Sequence, residues 1–156
     1  MVGVRFRLAQ PADAEAIAAM INQAFQVERF FVDGHRIGLG EVQDRLHKGQ
    51  FLLAEEGGAL AACVYVEPRG ERGYLGLLSV DPQRQRGGLG SRLMAAAEDR
   101  CRRNGCRFLD LHIVNLREEL PAFYRRRGYI ETGTAPFPAD TPTKLPCHFI
   151  VMSKPL

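Results

Sequence analysis

The 156 residues predict an α/β fold whose elements run β-α-α-β-β-β-α-β-α-β-β. Three observations carry that expectation. Apolar residues recur at helical spacing in 17–25, 89–101 and 120–127. Short β-rich runs stand at 4–8, 51–54, 60–66, 74–80, 107–114, 129–132 and 147–152. Glycine and proline pairs punctuate the chain between them.

Each element has its own reason. Residues 4–8 form a short strand, and Gln10-Pro11-Ala12-Asp13 starts a helix whose Ile17, Met20, Ile21, Ala24 and Phe25 share one face. The period is lost over 26–40, which carries Gly34, Gly38 and Gly40, and a shorter helix at 41–47 stops at Gly49. Strands at 51–54 and 60–66 flank Glu55-Glu56-Gly57-Gly58, a hairpin signal. Pro68-Arg69-Gly70 is expected to turn the chain into the strand 74–80.

Leu89, Leu93, Ala97 and Cys101 set one face of the next helix on a sheet, and Asn104-Gly105 ends it. After the strand 107–114 comes a helix at 118–127 with Pro121 in its first turn and Gly128 as its stop. Its shared face is Leu120, Phe123, Tyr124 and Arg127. A strand at 129–132 leads to a stiff, exposed loop over 133–146 with Pro136, Pro138, Pro142 and Pro146, before the last strand at 147–152.

Composition narrows the function classes. A chain that is 46% apolar and 25% charged is an ordinary globular protein, expected as one domain over 1–156. No apolar run approaches the ~20 residues of a membrane span. The start M-V-G-V-R-F-R lacks the apolar segment of a secretory signal. A cytoplasmic location with no membrane partner is therefore expected. Cys63, Cys101, Cys106 and Cys147 form no C-x-x-C pair and keep no zinc-like spacing to histidine, so reduced thiols and no metal are expected.

The net charge of +3 is unevenly spread, because 84–127 holds eleven arginines against five acids. Such a concentration suits a polyphosphate ligand. A basic nucleic-acid-binding domain is the alternative, with an affinity that would collapse in salt. No aromatic residue interleaves with those arginines before Phe108, so no nucleic-acid partner is expected.

The stretch Y-L-G-L-L-S-V-D-P-Q-R-Q-R-G-G-L-G-S-R, from Tyr74 to Arg92, organises the rest. An apolar strand runs through Asp81-Pro82 into a loop with Gly87, Gly88 and Gly90 and then into a helix. Glycines admit positive φ and close approach of a ligand, and a helix N-terminus attracts anions. Arg84, Arg86 and Arg92 add charge around the loop. A Walker A loop is excluded, since no lysine lies between Lys48 and Lys144. A dinucleotide fingerprint starting at Gly88 would need a third glycine where Leu93 stands.

What remains is Gln85-x-x-Gly88-x-Gly90, preceded by L-L-S-V and followed later by Asn115 and Tyr124. This combination resembles the acetyl-CoA pyrophosphate loop of the GCN5-related N-acetyltransferase (GNAT) superfamily. The resemblance is sharpest from Tyr74 to Gly133 and implies the GNAT acyl-CoA N-acyltransferase fold, an α/β (α+β) mixed sheet. It implies an enzyme that passes the acetyl group of acetyl-CoA directly to a primary amine of a small molecule or peptide. Acetyl-CoA would be a co-substrate, no metal would take part, and homodimers are frequent in the family.

Residue by residue, the resemblance places the pantetheine arm against main-chain groups of Leu78, Ser79 and Val80, where the strand bends away from its neighbour. The pyrophosphate would meet main-chain N–H groups of Arg86, Gly87, Gly88, Leu89, Gly90 and Ser91, with Gln85 in register. Asn115 matches the asparagine that contacts the arm, although the nine positions from it to Tyr124 exceed the usual spacing. Tyr124, in F-Y-R-R-R-G-Y, matches the tyrosine that protonates the departing sulfur. An ordinary phenol of pKa ~10 supplies a thiolate whose acid is ~8.5 at a cost near 2 kcal/mol.

A lysine-like amine costs about 5 kcal/mol to deprotonate at neutral pH and an α-amine about 1. Many relatives place a glutamate on the strand before the loop, but 74–80 has no carboxylate. Glu67, His112 and His148 are the strand-borne candidates for a base. The acceptor is expected over 26–40 and 133–146, where Glu28, Asp33, His35 and Arg36 offer both signs of charge. A catalytically silent acyl-CoA-binding or sensing domain is the alternative from another class; it would keep the loop and turn over no amine.

Overall fold

The computed structural model describes residues 3–156, apart from the side chains of Gln85 and Arg86. In order, the elements are β1 (Val4–Leu8), α1 (Ala14–Ala24), α2 (Leu39–Lys48), β2 (Gln50–Glu56), β3 (Ala59–Arg69), β4 (Arg72–Val80), α3 (Leu89–Arg103), β5 (Phe108–Val114), α4 (Leu120–Arg125), β6 (Ile130–Pro136) and β7 (His148–Pro155). The expected order is the observed one. A single mixed sheet runs β1-β2-β3-β4-β5-β7-β6. Its one parallel pair is β4–β5, joined by the crossover through α3, and the other neighbours are antiparallel.

Local chemistry explains the punctuation. Gly57 and Gly58 both have positive φ, 62° and 79°, as a two-residue hairpin between β2 and β3 requires. Pro11 opens the first turn ahead of α1, and Asp13 takes the Gln10 N–H while receiving two bonds from Arg7.

Several boundaries differ from expectation by one to four residues, two of them for a clear reason. Pro68 does not start a turn: it lies inside β3 opposite Gly73, and the reversal follows at Gly70-Glu71. β6 extends to Pro136, four residues past the expected end, because it is the edge strand and one of its sides needs no ladder partner for a missing N–H.

The sheet separates two apolar layers. On one face α3 and α4 pack Leu89, Leu93, Met94, Ala97 and Tyr124 against Leu75, Leu109, Leu111 and Ile113. On the other, α1 and α2 pack Ile17, Ile21 and Val42 against Phe51, Leu53 and Tyr65. Each large aliphatic side chain buried in this way stabilises the fold by roughly 1.5–3 kcal/mol. α1 lies on β3 and β4 and α2 on β2, so the main contacts of that layer stop at β4.

Candidate active site

The site begins where two strands part. β4 pairs with β5 only at Arg72↔Phe108, Gly73↔Leu109 and Tyr74↔Asp110. Beyond Tyr74, β4 stays with β3 as far as Val80, whereas β5 stays with β7 as far as Val114. A wedge therefore opens between Leu75–Val80 and Leu111–Val114.

A bulge accompanies the parting. β3 advances from Cys63 to Tyr65 while β4 goes from Ser79 back to Gly76, which leaves one extra residue on β4. Leu77 absorbs it with φ 57°, the one positive φ among the described non-glycine residues. A left-handed leucine costs about 1–2 kcal/mol. The bulge also resets the strand's alternation: Leu75 and Leu78 both face α3, while Leu77 faces α1. Ser79 is buried and donates its hydroxyl to the Leu77 carbonyl at 3.1 Å.

The loop stands at the mouth of this wedge. Asp81 accepts the Gln83 N–H at 3.0 Å and opens a 3-10 turn, Pro82–Gly87. Gly88 follows in the left-handed region, φ 66°, and α3 starts at Leu89 with no acidic residue in its first turn. Of the three loop glycines only Gly88 has positive φ. Gly90 is helical, and a Cβ there would make ordinary contact with Val80 Cγ2 at 3.5 Å, which places the first turn of the helix against β4. The main chain of Gly87, Gly88, Leu89, Gly90 and Ser91 thus forms a helix N-terminus directly beside Leu78, Ser79 and Val80. The side chains of Gln85 and Arg86, expected to meet the ligand, lie outside the described residues.

The arginines around the loop divide the work differently from the sequence expectation. Arg84 is spent on the scaffold, bonding Asp81 at 2.5 Å and Glu56 at 3.2 Å. Arg92 lies over the Phe6 ring at 5.4 Å. Arg127, coming from beyond α4, bonds the Ser91 hydroxyl through Nε at 2.7 Å and also through Nη2. It rests on the Phe123 ring at 3.6 Å, so it fixes α4 to the first turn of α3.

Residues 15–129 match the acetyltransferase (GNAT) family. The chain belongs to that family. A curated relative, the uncharacterized N-acetyltransferase YhfO of Bacillus subtilis (strain 168), is 30% identical over 152 residues, covering 90% of this chain and 100% of the relative. Ard1 from Thermoplasma volcanium superposes with a TM-score of 0.81 at 18% identity, covering 98% of this chain and 97% of that one. N-acetylglutamate synthase from Neisseria gonorrhoeae, solved with coenzyme A and N-acetyl-glutamate, superposes with a TM-score of 0.72 at 22% identity, covering all of this chain and 36% of that one. These superpositions show the fold, and the family shows an acetyltransferase.

In this GNAT chain Tyr124 lies on α4 at 7% exposure, edge-to-face with Phe123 at 5.0 Å and Tyr129 at 5.9 Å. Its hydroxyl has no hydrogen-bond partner among the described residues. Burial pushes the phenol up to about 12, while the charges of Arg117 and Arg127 pull the other way. Tyr74 acts on it as well, although Tyr74 packs with the α1 layer and Tyr124 with the α3 layer. Tyr129, by contrast, is structural: it is fully buried and donates to Glu98 at 2.8 Å, which also receives Lys154 at 2.9 Å.

Asn115 follows the last residue of β5, and its Oδ1 accepts the His148 N–H at 2.8 Å while its own N–H goes to the His148 carbonyl. It pins β5 to β7 at the open end of the wedge.

The three base candidates fare differently. Glu67 accepts the Tyr65 hydroxyl at 2.5 Å and Arg69, and despite partial burial these partners hold its carboxyl below the usual value. His148 reaches Asn115 through its main chain and has an exposed side chain. His112 stands on the uncovered face of the sheet, its ring 5.7 Å from Tyr74 and 5.4 Å from Phe149.

One pair went unseen in the sequence. Glu28, 8% exposed at the end of the turn after α1, accepts Arg117 at 2.9 Å. Burial holds this carboxyl above the ordinary value even though Arg117 opposes it. The two segments expected to flank the acceptor meet here: Val32 bridges Thr143, and Lys144 reaches the Phe31 carbonyl through its main-chain N–H at 2.7 Å and Asp33 through its side chain at 3.1 Å. Glu28 and Arg117 are 89 positions apart, so no local pattern could have joined them.

Proposed function

We propose that this protein transfers the acetyl group of acetyl-CoA directly to a primary amine. The observation that carries the reading is the wedge. β4 leaves β5 after Tyr74↔Asp110 and runs on to Val80, and a 3-10 turn then leads to a left-handed glycine and a helix start, so a strand-like arm and its diphosphate would find their partners in one line. The pantetheine would run beside Leu78, Ser79 and Val80 and pair with β4 as a strand does. The diphosphate would lie on main-chain N–H groups of Arg86, Gly87, Gly88, Leu89, Gly90 and Ser91, at the end of Gln85-x-x-Gly88-x-Gly90. Each such helix-end interaction contributes roughly 0.3–1 kcal/mol, so several act together. Asn115 supports the reading by holding the far wall of the wedge beside the arm.

Tyr124 would face the thioester sulfur from the α4 side. With its phenol near 12, complete transfer of the proton to a thiolate of ~8.5 is uphill by about 5 kcal/mol. Its task is therefore to donate a hydrogen bond to the sulfur as the C–S bond breaks, with Arg117 and Arg127 stabilising the same negative charge. The amine nitrogen attacks the thioester carbonyl, the C–S electron pair leaves on sulfur as a thiolate hydrogen-bonded by Tyr124, the new amide's nitrogen sheds its proton to solvent, and the released coenzyme A takes one up from solvent.

The test is an assay for coenzyme A release from acetyl-CoA across amino acids, polyamines, aminoglycosides and peptides. Turnover with at least one amine is expected. Tight acetyl-CoA binding with no release from any amine would leave a silent acyl-CoA-binding domain instead.

A further inference from the structure

A direct transfer needs a group that frees the acceptor nitrogen of a proton, and the carboxylates nearest the wedge are spoken for. Asp110 accepts Arg72 twice, at 2.8 and 2.7 Å, and the Ser153 hydroxyl at 2.5 Å. Glu67 is held by Tyr65 and Arg69. Carboxylates tied in this way are poor proton acceptors.

His112 is placed differently. It lies two residues past Asp110 on β5, beyond the last pair with β4, so it stands on the wall of the wedge just above its apex. On its side of the sheet the α1–α2 layer has ended, and the residue is exposed although its ring is flanked by Tyr74 and Phe149. Gly76 sets that flank. A Cβ there would lie 2.9 Å from the Tyr74 hydroxyl and Cε1, so the missing side chain is what lets the Tyr74 ring lie back along β4. The imidazole has no hydrogen-bond partner among the described residues.

We propose that His112 is the base that takes the proton from the acceptor's ammonium group, a role that rests on the acetyl-transfer reading. Tyr124 and His112 then serve opposite faces of one opening: the sulfur departs toward α4, and the amine arrives over β5. The ammonium N–H bond breaks, its proton passes to the unprotonated ring nitrogen, and the freed lone pair forms the bond to the thioester carbon. The imidazolium afterwards returns its proton to solvent. The environment keeps the ring ready, since partial burial and the Arg69 charge hold it below the ordinary histidine value while Asp110 opposes them. Tyr74 on β4, Arg69 on β3 and Asp110 on β5 are the titratable or charged groups around it; β7 presents Phe149 and Val151 there.

The test compares wild type with His112→Asn, and with His112→Gln as a second variant, on primary amines graded from α-amines of pKa about 8 to lysine-like amines near 10.4. At pH 7 the variants should lose about 100-fold in kcat/KM on the most basic amine accepted and less on an α-amine, the usual span for a lost base. The deficit should close as pH rises toward the amine's own pKa. Wild type should show an acid limb below 6.5 that the variants lack. The acetyl-CoA-induced rise in Tm should be unchanged, because His112 faces away from the loop. A deficit equal at every pH and for every amine, or no deficit, overturns the base while leaving acetyl transfer intact. A wild type that releases no coenzyme A with any amine overturns both.

Discussion

β4 meets β5 at one end and leaves it at the other, and the two ends are built by opposite means. At the closed end the strands are packed as near as a missing side chain allows. A Cβ on Gly73 would fall 2.9 Å from the Cys101 sulfur and 3.1 Å from Leu109 Cδ1. Arg72 then forks onto Asp110, and Ser153 of β7 joins the same carboxylate. At the open end the glycines are there for conformation and room: a Cβ on Gly87 or Gly88 would meet nothing within 4 Å. One end is therefore a fixed hinge and the other a held-open mouth, with the Leu77 bulge between them.

The largest expected effect comes from filling the mouth. Gly88→Glu puts bulk and negative charge where the diphosphate would lie, and should abolish the acetyl-CoA-induced rise in Tm, a loss of at least about 100-fold in affinity, since several interactions with the anion fail together. The backbone strain of a non-glycine at φ 66° costs only about 1–2 kcal/mol, so the variant should still fold. Gly88→Asn, which tolerates that conformation, should keep much of the shift. A full shift in Gly88→Glu would remove the diphosphate from this loop.

Next in size is Tyr124→Phe, which touches the mouth from the α4 side. Since the hydroxyl has no hydrogen-bond partner among the described residues, the variant should keep its Tm and its acetyl-CoA affinity while kcat falls about 10- to 100-fold. Undiminished kcat would assign the hydrogen bond to the departing sulfur to water or another group.

The mouth was far more legible in the sequence than the hinge. Gln85-x-x-Gly88-x-Gly90 and the Leu89, Leu93, Ala97, Cys101 face are local patterns, and local patterns survive in one dimension. The wedge itself came only through the family resemblance. The bulge at Leu77 is a register difference between β3 and β4, carried by a residue type that gives no hint of a left-handed conformation. Arg84 read as ligand charge because its partners, Glu56 and Asp81, are fixed by the turn's geometry and not by any pattern. Tyr124 was found by motif, but its raised pKa depends on how deeply α4 sinks into the α3 layer, which its short apolar stripe does not state.

Closing the hinge less tightly should cost stability before it costs chemistry. Gly73→Ala forces a methyl against Cys101 and Leu109, and overpacking of this kind costs about 1–3 kcal/mol. For a chain of this length that lowers Tm by roughly 2–4 °C per kcal/mol. An unchanged Tm would mean that the strands can separate there at no cost, so that the hinge is soft.

The smallest expected effect is the most diagnostic of what the hinge is made of. The Arg72 guanidinium, bonded twice to Asp110, holds that carboxyl below its ordinary value of 3.8, with Ser153 assisting and partial burial opposing. A carboxyl whose pKa is depressed on folding adds stability above its unfolded pKa and loses it as pH falls through the folded value. Asp110→Asn should therefore cost stability at pH 7 and progressively less below the ordinary carboxylate value of 3.8. Arg72 is half exposed, so solvent screening limits the cost to about 1 kcal/mol. Denaturant midpoints for wild type and variant, measured from pH 7 to pH 3, should converge at the acid end. A gap that stays constant would mean that the carboxylate's shape, and not its charge, holds β4 to β5, and the hinge would then be one of packing alone.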